Sequence, residues 1–91
     1  MKHFATSDFW ARYHQLPAAV RKVADKQFAL LREDPTHPSL RLKRVGPFWS
    51  ARVSRGYRAL AKERAEGLVW FWIGPHRRYD QILAQPRTGE H

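Results

Sequence analysis

A chain of 91 residues, 43% of them hydrophobic, has the length for one modest core and not for a second, and is too apolar to read as disordered. It has no cysteine, which excludes disulfides and thiolate metal sites. Its 17 Lys and Arg against 8 Asp and Glu, a formal +9, imply an anionic partner: nucleic acid, an acidic protein or an anionic membrane surface.

No apolar run approaches the roughly 20 residues that span a bilayer. Met1-Lys2-His3-Phe4 carries no apolar region of the signal-peptide kind. The expectation is a cytoplasmic protein without a membrane partner. It would fold as one domain over residues 1–91, with Pro86 to His91 a frayed tail.

His3-Phe4-Ala5 is short and suits an edge strand. Thr6-Ser7-Asp8 supplies side-chain oxygens that accept from the free amides of a first helical turn. Phe9, Tyr13 and Leu16 follow at helical spacing, with Trp10 beside them, so a first helix is expected from Ser7 to Gln15. Pro17 suits the first turn of a second. There Val20, Ala24, Phe28 and Leu31 recur with a period near 3.6, with Val23 and Leu30 alongside. Pro35 disfavours helical geometry in Asp34 and ends the helix there. The two helices form a hairpin that packs on a sheet.

Asp34 to Pro38 reads as a loop, with His37 a surface residue within it. Leu40 and Leu42 alternate with Arg41 and Lys43, which predicts a strand with one basic face. Gly46-Pro47 is a turn, and strands follow at Phe48 to Val53 and Tyr57 to Lys62. Ser54-Arg55-Gly56 between them predicts a three-residue hairpin loop with the glycine at positive φ. That loop pairs Val53 with Tyr57 and Arg52 with Arg58. Trp49, Ala51, Val53, Tyr57, Ala59 and Ala61 then share the core face, and Ser50, Arg52, Arg58, Leu60 and Lys62 the other. A two-residue loop would split the arginines between faces.

Glu63 to Gly67 is a polar turn. Leu68 to Ile73 is apolar on both faces, as in an interior strand covered from both sides. One face lies under the helices. The other carries either the two tryptophans or Val69, Phe71 and Ile73. It is covered by the terminal segment or lines a groove. These elements add up to an α+β fold: an N-terminal helical hairpin on a small, mainly antiparallel twisted sheet.

Arg52 opposite Arg58 is a destabilising pair. Either both side chains are solvated, or they converge on an anion, most naturally a phosphate, which arginine grips through two parallel hydrogen bonds. Arg41 and Lys43 precede them, and His76, Arg77, Arg78 and Tyr79 follow the last strand. RNA cleavage by its own 2′-hydroxyl needs a base, cations for the phosphorane and an acid for the leaving oxygen. Arginine supplies only the cation. His76 can be base or acid. Tyr79 can be its partner or stack on a base, and Asp80 can orient His76 or an arginine. The alternative is that His76 and Tyr79 merely close the sheet face.

The order of elements resembles the RelE/ParE superfamily of bacterial toxins from toxin–antitoxin modules, over about Phe4 to Leu83. The strings Gly56-Tyr57-Arg58 and Gly74-x-His76-x-x-Tyr79-Asp80 carry it best. The resemblance implies a RelE-like toxin: a metal-independent endoribonuclease that cuts messenger RNA on the ribosome. By matching position, Arg58, Arg52, His76 and Tyr79 are the catalytic set. Arg41, Lys43, Lys62, Arg77 and Arg78 are the RNA-binding cations. Tyr79 lies closer to His76 than in RelE, and Ser50 stands where RelE has a second basic residue. The implied partners are a cognate acidic antitoxin, messenger RNA and the ribosome, with no cofactor. The alternatives are a ParE-like, non-enzymatic DNA gyrase inhibitor and an inactive RNA-binding module.

Overall fold

The computed structural model describes residues 2–84; the tail read at Pro86 to His91 lies outside them. Its elements run β1 (Lys2–Ala5), α1 (Ser7–His14), α2 (Ala18–Glu33), a 3-10 turn (Pro38–Leu40), β2 (Lys43–Val45), β3 (Phe48–Ser54), β4 (Tyr57–Arg64), β5 (Gly67–Pro75) and α3 (His76–Ala84). The sheet order is β1-β5-β4-β3-β2. β1 runs parallel to β5, and every other pair is antiparallel. No helix among the described residues is long and apolar enough to cross a membrane.

Thr6 caps α1, its hydroxyl oxygen accepting from the Phe9 amide at 3.1 Å. Pro17 stands just outside α2, at its N-cap, and α2 stops at Glu33 with Asp34 as C-cap. α1 packs mainly over β5 and α2 over β3. The main core lies beneath them: Leu16, Ala24, Leu31, Leu40, Ala51, Val53, Ala59, Ala61, Leu68, Trp70 and Ile73. This bears out the expected core face of the middle strands. Phe28 and Val23 lie higher on α2 and remain 40% exposed. His3 packs against Trp70 and accepts from the indole Nε1 at 3.1 Å, which ties β1 to β5.

Three local readings are corrected. The strand expected at Leu40 to Lys43 starts only at Lys43. His37 caps the 3-10 turn before it, its Nδ1 accepting from the Ser39 amide at 3.2 Å. Arg41 then takes a left-handed φ of 45°, which breaks any alternation with Leu40.

The β3–β4 hairpin turns on two residues, Arg55 and Gly56, rather than three. Ser54 pairs with Tyr57 and Arg52 with Arg58, so Val53 is an extra residue in a bulge. The bulge restores the arginine pair that a plain two-residue turn would have split. It also relieves Gly56 of the positive φ expected of it; Gly46 and Gly67 are the described glycines with positive φ.

A second bulge decides the two tryptophans. Leu60 pairs with Trp72 and Ala61 with Trp70, which leaves Phe71 without a partner. Trp70 therefore joins the main core. Trp72 joins Leu60 and Tyr79 on the opposite face, with Phe48, Phe71, Ile82 and Leu83 around them. The terminal segment does cover that face, and does so as a helix. Tyr79, Ile82 and Leu83 are its apolar stripe, and Pro75 precedes its first residue.

Gly67 opens β5 at φ +149°, where a Cβ would meet the Lys2 carbonyl oxygen at 2.2 Å. Gly67→Ala is expected to lower stability by about 1–3 kcal/mol or more through strain at that φ and displacement of β1. Urea unfolding checks this, and an unchanged midpoint would contradict it.

Candidate functional site

The site is built where α3 meets the end of the β3–β4 hairpin. The His76 amide donates to the Gly56 carbonyl at 2.8 Å, so the first residue of α3 is tied to the hairpin turn. One turn later Tyr79 is 7% exposed and its hydroxyl shares a 2.9 Å hydrogen bond with Ser50 Oγ, itself 2% exposed. His76 and Asp80 stand one helical turn apart, with Nδ1 and Oδ2 separated by 3.0 Å. A carboxylate at Nδ1 holds the proton on that nitrogen and leaves Nε2 as the basic one in the neutral ring. The His76 side chain is 44% exposed, and its ring lies 5.4 Å from that of Tyr79.

Arg52 and Arg58 face each other across β3 and β4, both half-buried. Gln27 of α2 donates to the Arg52 carbonyl at 3.0 Å. Arg58 turns back over the hairpin and donates to the Ser54 and Tyr57 carbonyls at 2.8 and 3.0 Å. Burial pushes the Arg58 pKa down from its ordinary value, and the charges of Arg52 and Arg41 add to this; Tyr79 and Asp80 act the other way. A cluster of guanidinium groups with Asp80 alongside is a place where an anion lowers the energy.

The structure thus brings together Arg41, Arg52, Arg58, His76, Tyr79 and Asp80. Lys43 lies opposite Ser50 on the same face and is exposed. Lys62 lies at the far end of that face, its Nζ 5.2 Å from the Phe71 ring centre. Arg77 is exposed on α3. Arg78 leaves the group and lines a separate cleft with Arg12 and Tyr57. Among the described residues no three His, Asp or Glu side chains cluster as metal ligands.

Sequence reasoning treated Ser50 as a lost basic residue. It is instead the buried partner of Tyr79. Nothing local in the sequence signals this, because Ser50 becomes buried only once α3 covers its face.

No family model matches the sequence, and no curated protein matches it significantly. Solved structures do match. The chain is similar to a RelB–RelE antitoxin–toxin complex from Methanococcus jannaschii at 10% identity and TM-score 0.68, covering 87% of this chain and 96% of that one. It is similar to a YoeB/ParE toxin from Agrobacterium tumefaciens at 15% identity and TM-score 0.63, covering 84% and 99%. A mutant of E. coli toxin RelE in the free state matches at 16% identity and TM-score 0.62, covering 88% and 87%. This is the RelE/ParE toxin fold. The likeness extends over nearly the full length of those toxin chains. The groups assembled at α3 belong to this chain's own sequence and are judged by their geometry.

The Arg52–Arg58 pair is expected to cost stability. Arg52→Gln should stabilise the fold by a few tenths to about 1 kcal/mol at low ionic strength, with the gain shrinking as salt screens the repulsion. Urea unfolding at low and high salt measures it. A destabilised, salt-insensitive variant would contradict the repulsive reading.

Proposed function

We propose that the chain is the toxin of a type II toxin–antitoxin pair, and that it is a metal-independent endoribonuclease cutting messenger RNA on the ribosome. The observation that carries this is the His76–Asp80 pair against Tyr79, with Asp80 within electrostatic reach of Arg58, which faces Arg52 across the strands. Proton transfer and phosphate charge are thereby served at one spot.

The reaction is transesterification. His76 Nε2 takes the proton of a 2′-hydroxyl, whose oxygen attacks the adjacent phosphorus. Asp80 holds the imidazole and stabilises the imidazolium that forms. Its exposed ion pair contributes little to folding, so orientation is its main service. Arg52 and Arg58 bind the phosphorane oxygens. The 5′ oxygen leaves, taking a proton from water as its bond to phosphorus breaks, the His76 imidazolium returns its proton to the resulting hydroxide, and a 2′,3′-cyclic phosphate remains. Tyr79 was expected to move one of these protons. Its buried hydroxyl, engaged with Ser50, instead favours a positioning role: the ring supports His76 and the hydroxyl locks α3. Arg41 and Lys43 extend the cationic track for the flanking RNA, and Lys62 and Arg77 lie further out.

The +9 charge fits an acidic antitoxin as the restraining partner. The similarity to a YoeB/ParE toxin structure supports one second reading, a ParE-like, non-enzymatic DNA gyrase inhibitor on the same fold. In that reading the His76–Asp80 pair beside two arginines has no task.

Induction in cells followed by mapping of messenger RNA 5′ ends separates the readings. New ends at fixed codon positions are expected, reduced by about 10²–10⁴ in His76→Ala. Tyr79→Phe should keep cleavage within about tenfold, whereas a tyrosine acid would lose as much as His76→Ala. Intact messages with DNA damage would move the protein to gyrase inhibition.

A further inference from the structure

Beyond Trp70 the outer edge of β5 has no strand partner among the described residues, because β1 pairs only with Gly67 to Trp70. The C-terminal end of α1 runs past this edge instead. Between them lies a cleft of about 280 Å³ whose lining includes Arg12 from α1, Gln15 just after it, Tyr57 from β4, Gly74 and Pro75 from β5 and Arg78 from α3. No carboxylate among the described residues lines it. The ion pairs among the described residues are Arg44–Glu63 and His76–Asp80, so neither Arg12 nor Arg78 has an acidic partner there. Arg21, the nearby cation of α2, is committed to the Leu16 carbonyl at 2.9 Å.

The cleft adjoins the reaction centre. Tyr57 and Arg58 are consecutive on β4 and project to opposite faces. His76 and Arg78 are two residues apart on α3 and about 200° apart around it, so they face opposite sides of the helix. Pro75, paired with Tyr57, forms the rim between the two sites. A polyanion held at Arg58 and His76 can continue around Pro75, at the start of α3, to a second pair of guanidinium groups that have no acidic partner among the described residues. Two arginines grip a phosphate, and the half-buried Tyr57 ring offers a face for stacking a base.

We propose that Arg12, Arg78 and Tyr57 form a subsite for the nucleotide flanking the scissile phosphate, with the arginines on its phosphate and the tyrosine beneath its base. This rests on the RNA-cleavage reading of the His76 centre and names where that substrate continues. A strand of regularly spaced phosphodiesters matches two cationic sites separated by a histidine better than an acidic peptide does.

The test uses the full chain and fluorescent 2′-O-methyl oligonucleotides, which lack the nucleophilic hydroxyl, read by anisotropy across a salt series. Wild type should bind a tetranucleotide more tightly than a dinucleotide. The Arg12→Ala/Arg78→Ala variant should bind the tetranucleotide at least tenfold more weakly and the dinucleotide less than twofold more weakly. Its slope of log affinity against log salt should fall by about 0.7 for each phosphate no longer neutralised. Arg58→Ala should weaken both ligands. Both cleft arginines are exposed, and thermal melts matching wild type confirm that the variant is folded. If Arg58→Ala weakens binding while the cleft variant equals wild type, the subsite is overturned and the centre stands. If wild type binds neither oligonucleotide, the subsite is overturned, while the centre, which acts on the ribosome, is judged by the mapped 5′ ends. If a polyglutamate peptide of equal charge shows the same weakening, the nucleotide assignment is overturned in favour of a general anion surface.

Discussion

Everything chemical in this molecule depends on how α3 is held against the sheet. His76 and Asp80 are surface residues of a nine-residue helix, too short to persist alone in water. Their position is borrowed from the underside of that helix. Tyr79 inserts between Leu60 and Trp72, and its hydroxyl meets Ser50 at 2.9 Å. Such a hydrogen bond contributes only about 0.5–1.5 kcal/mol net, but leaving either buried hydroxyl unpaired costs about 1–3 kcal/mol. The pairing therefore selects one seating for α3 rather than simply adding stability. The link from the His76 amide to the Gly56 carbonyl then fixes the helix start against the hairpin that carries Arg58.

The arginines illustrate the opposite economy. Arg52 and Arg58 are forced into opposition by a bulge at Val53, and Arg41 approaches from a left-handed turn. The hydrogen bonds from Arg58 to the Ser54 and Tyr57 carbonyls offset only part of this cost. Burial and neighbouring charge both work against the charged form of Arg58. Local rules broken together at one place are what a ligand-binding surface produces, and they support the reading proposed for this one.

Much of this was legible in the sequence. The apolar periodicity of Phe9 to Leu16 and of Val20 to Leu31 specified the two helices. Alternation from Trp49 to Ala61 specified the core face, and Gly46-Pro47 the first turn. The arginine opposition was also legible, though by way of the wrong loop. What escaped were features without a local signature. Bulges at Val53 and Phe71 add one residue to an apolar run without changing its appearance. A left-handed Arg41 carries no glycine to announce it. The Ser50–Tyr79 bond joins residues 29 positions apart, and neither residue alone points to the other. The helix after β5 begins directly at His76, amid basic residues that read more readily as a loop.

The most direct test of the central claim is the chemistry of the cut ends. Purified protein would be incubated with ribosomes programmed with a defined message, and the fragments analysed for their terminal groups. Attack by the 2′-hydroxyl predicts a 2′,3′-cyclic phosphate on one fragment and a 5′-hydroxyl on the other. Fragments bearing 5′-phosphates, or a message left whole, would contradict the account.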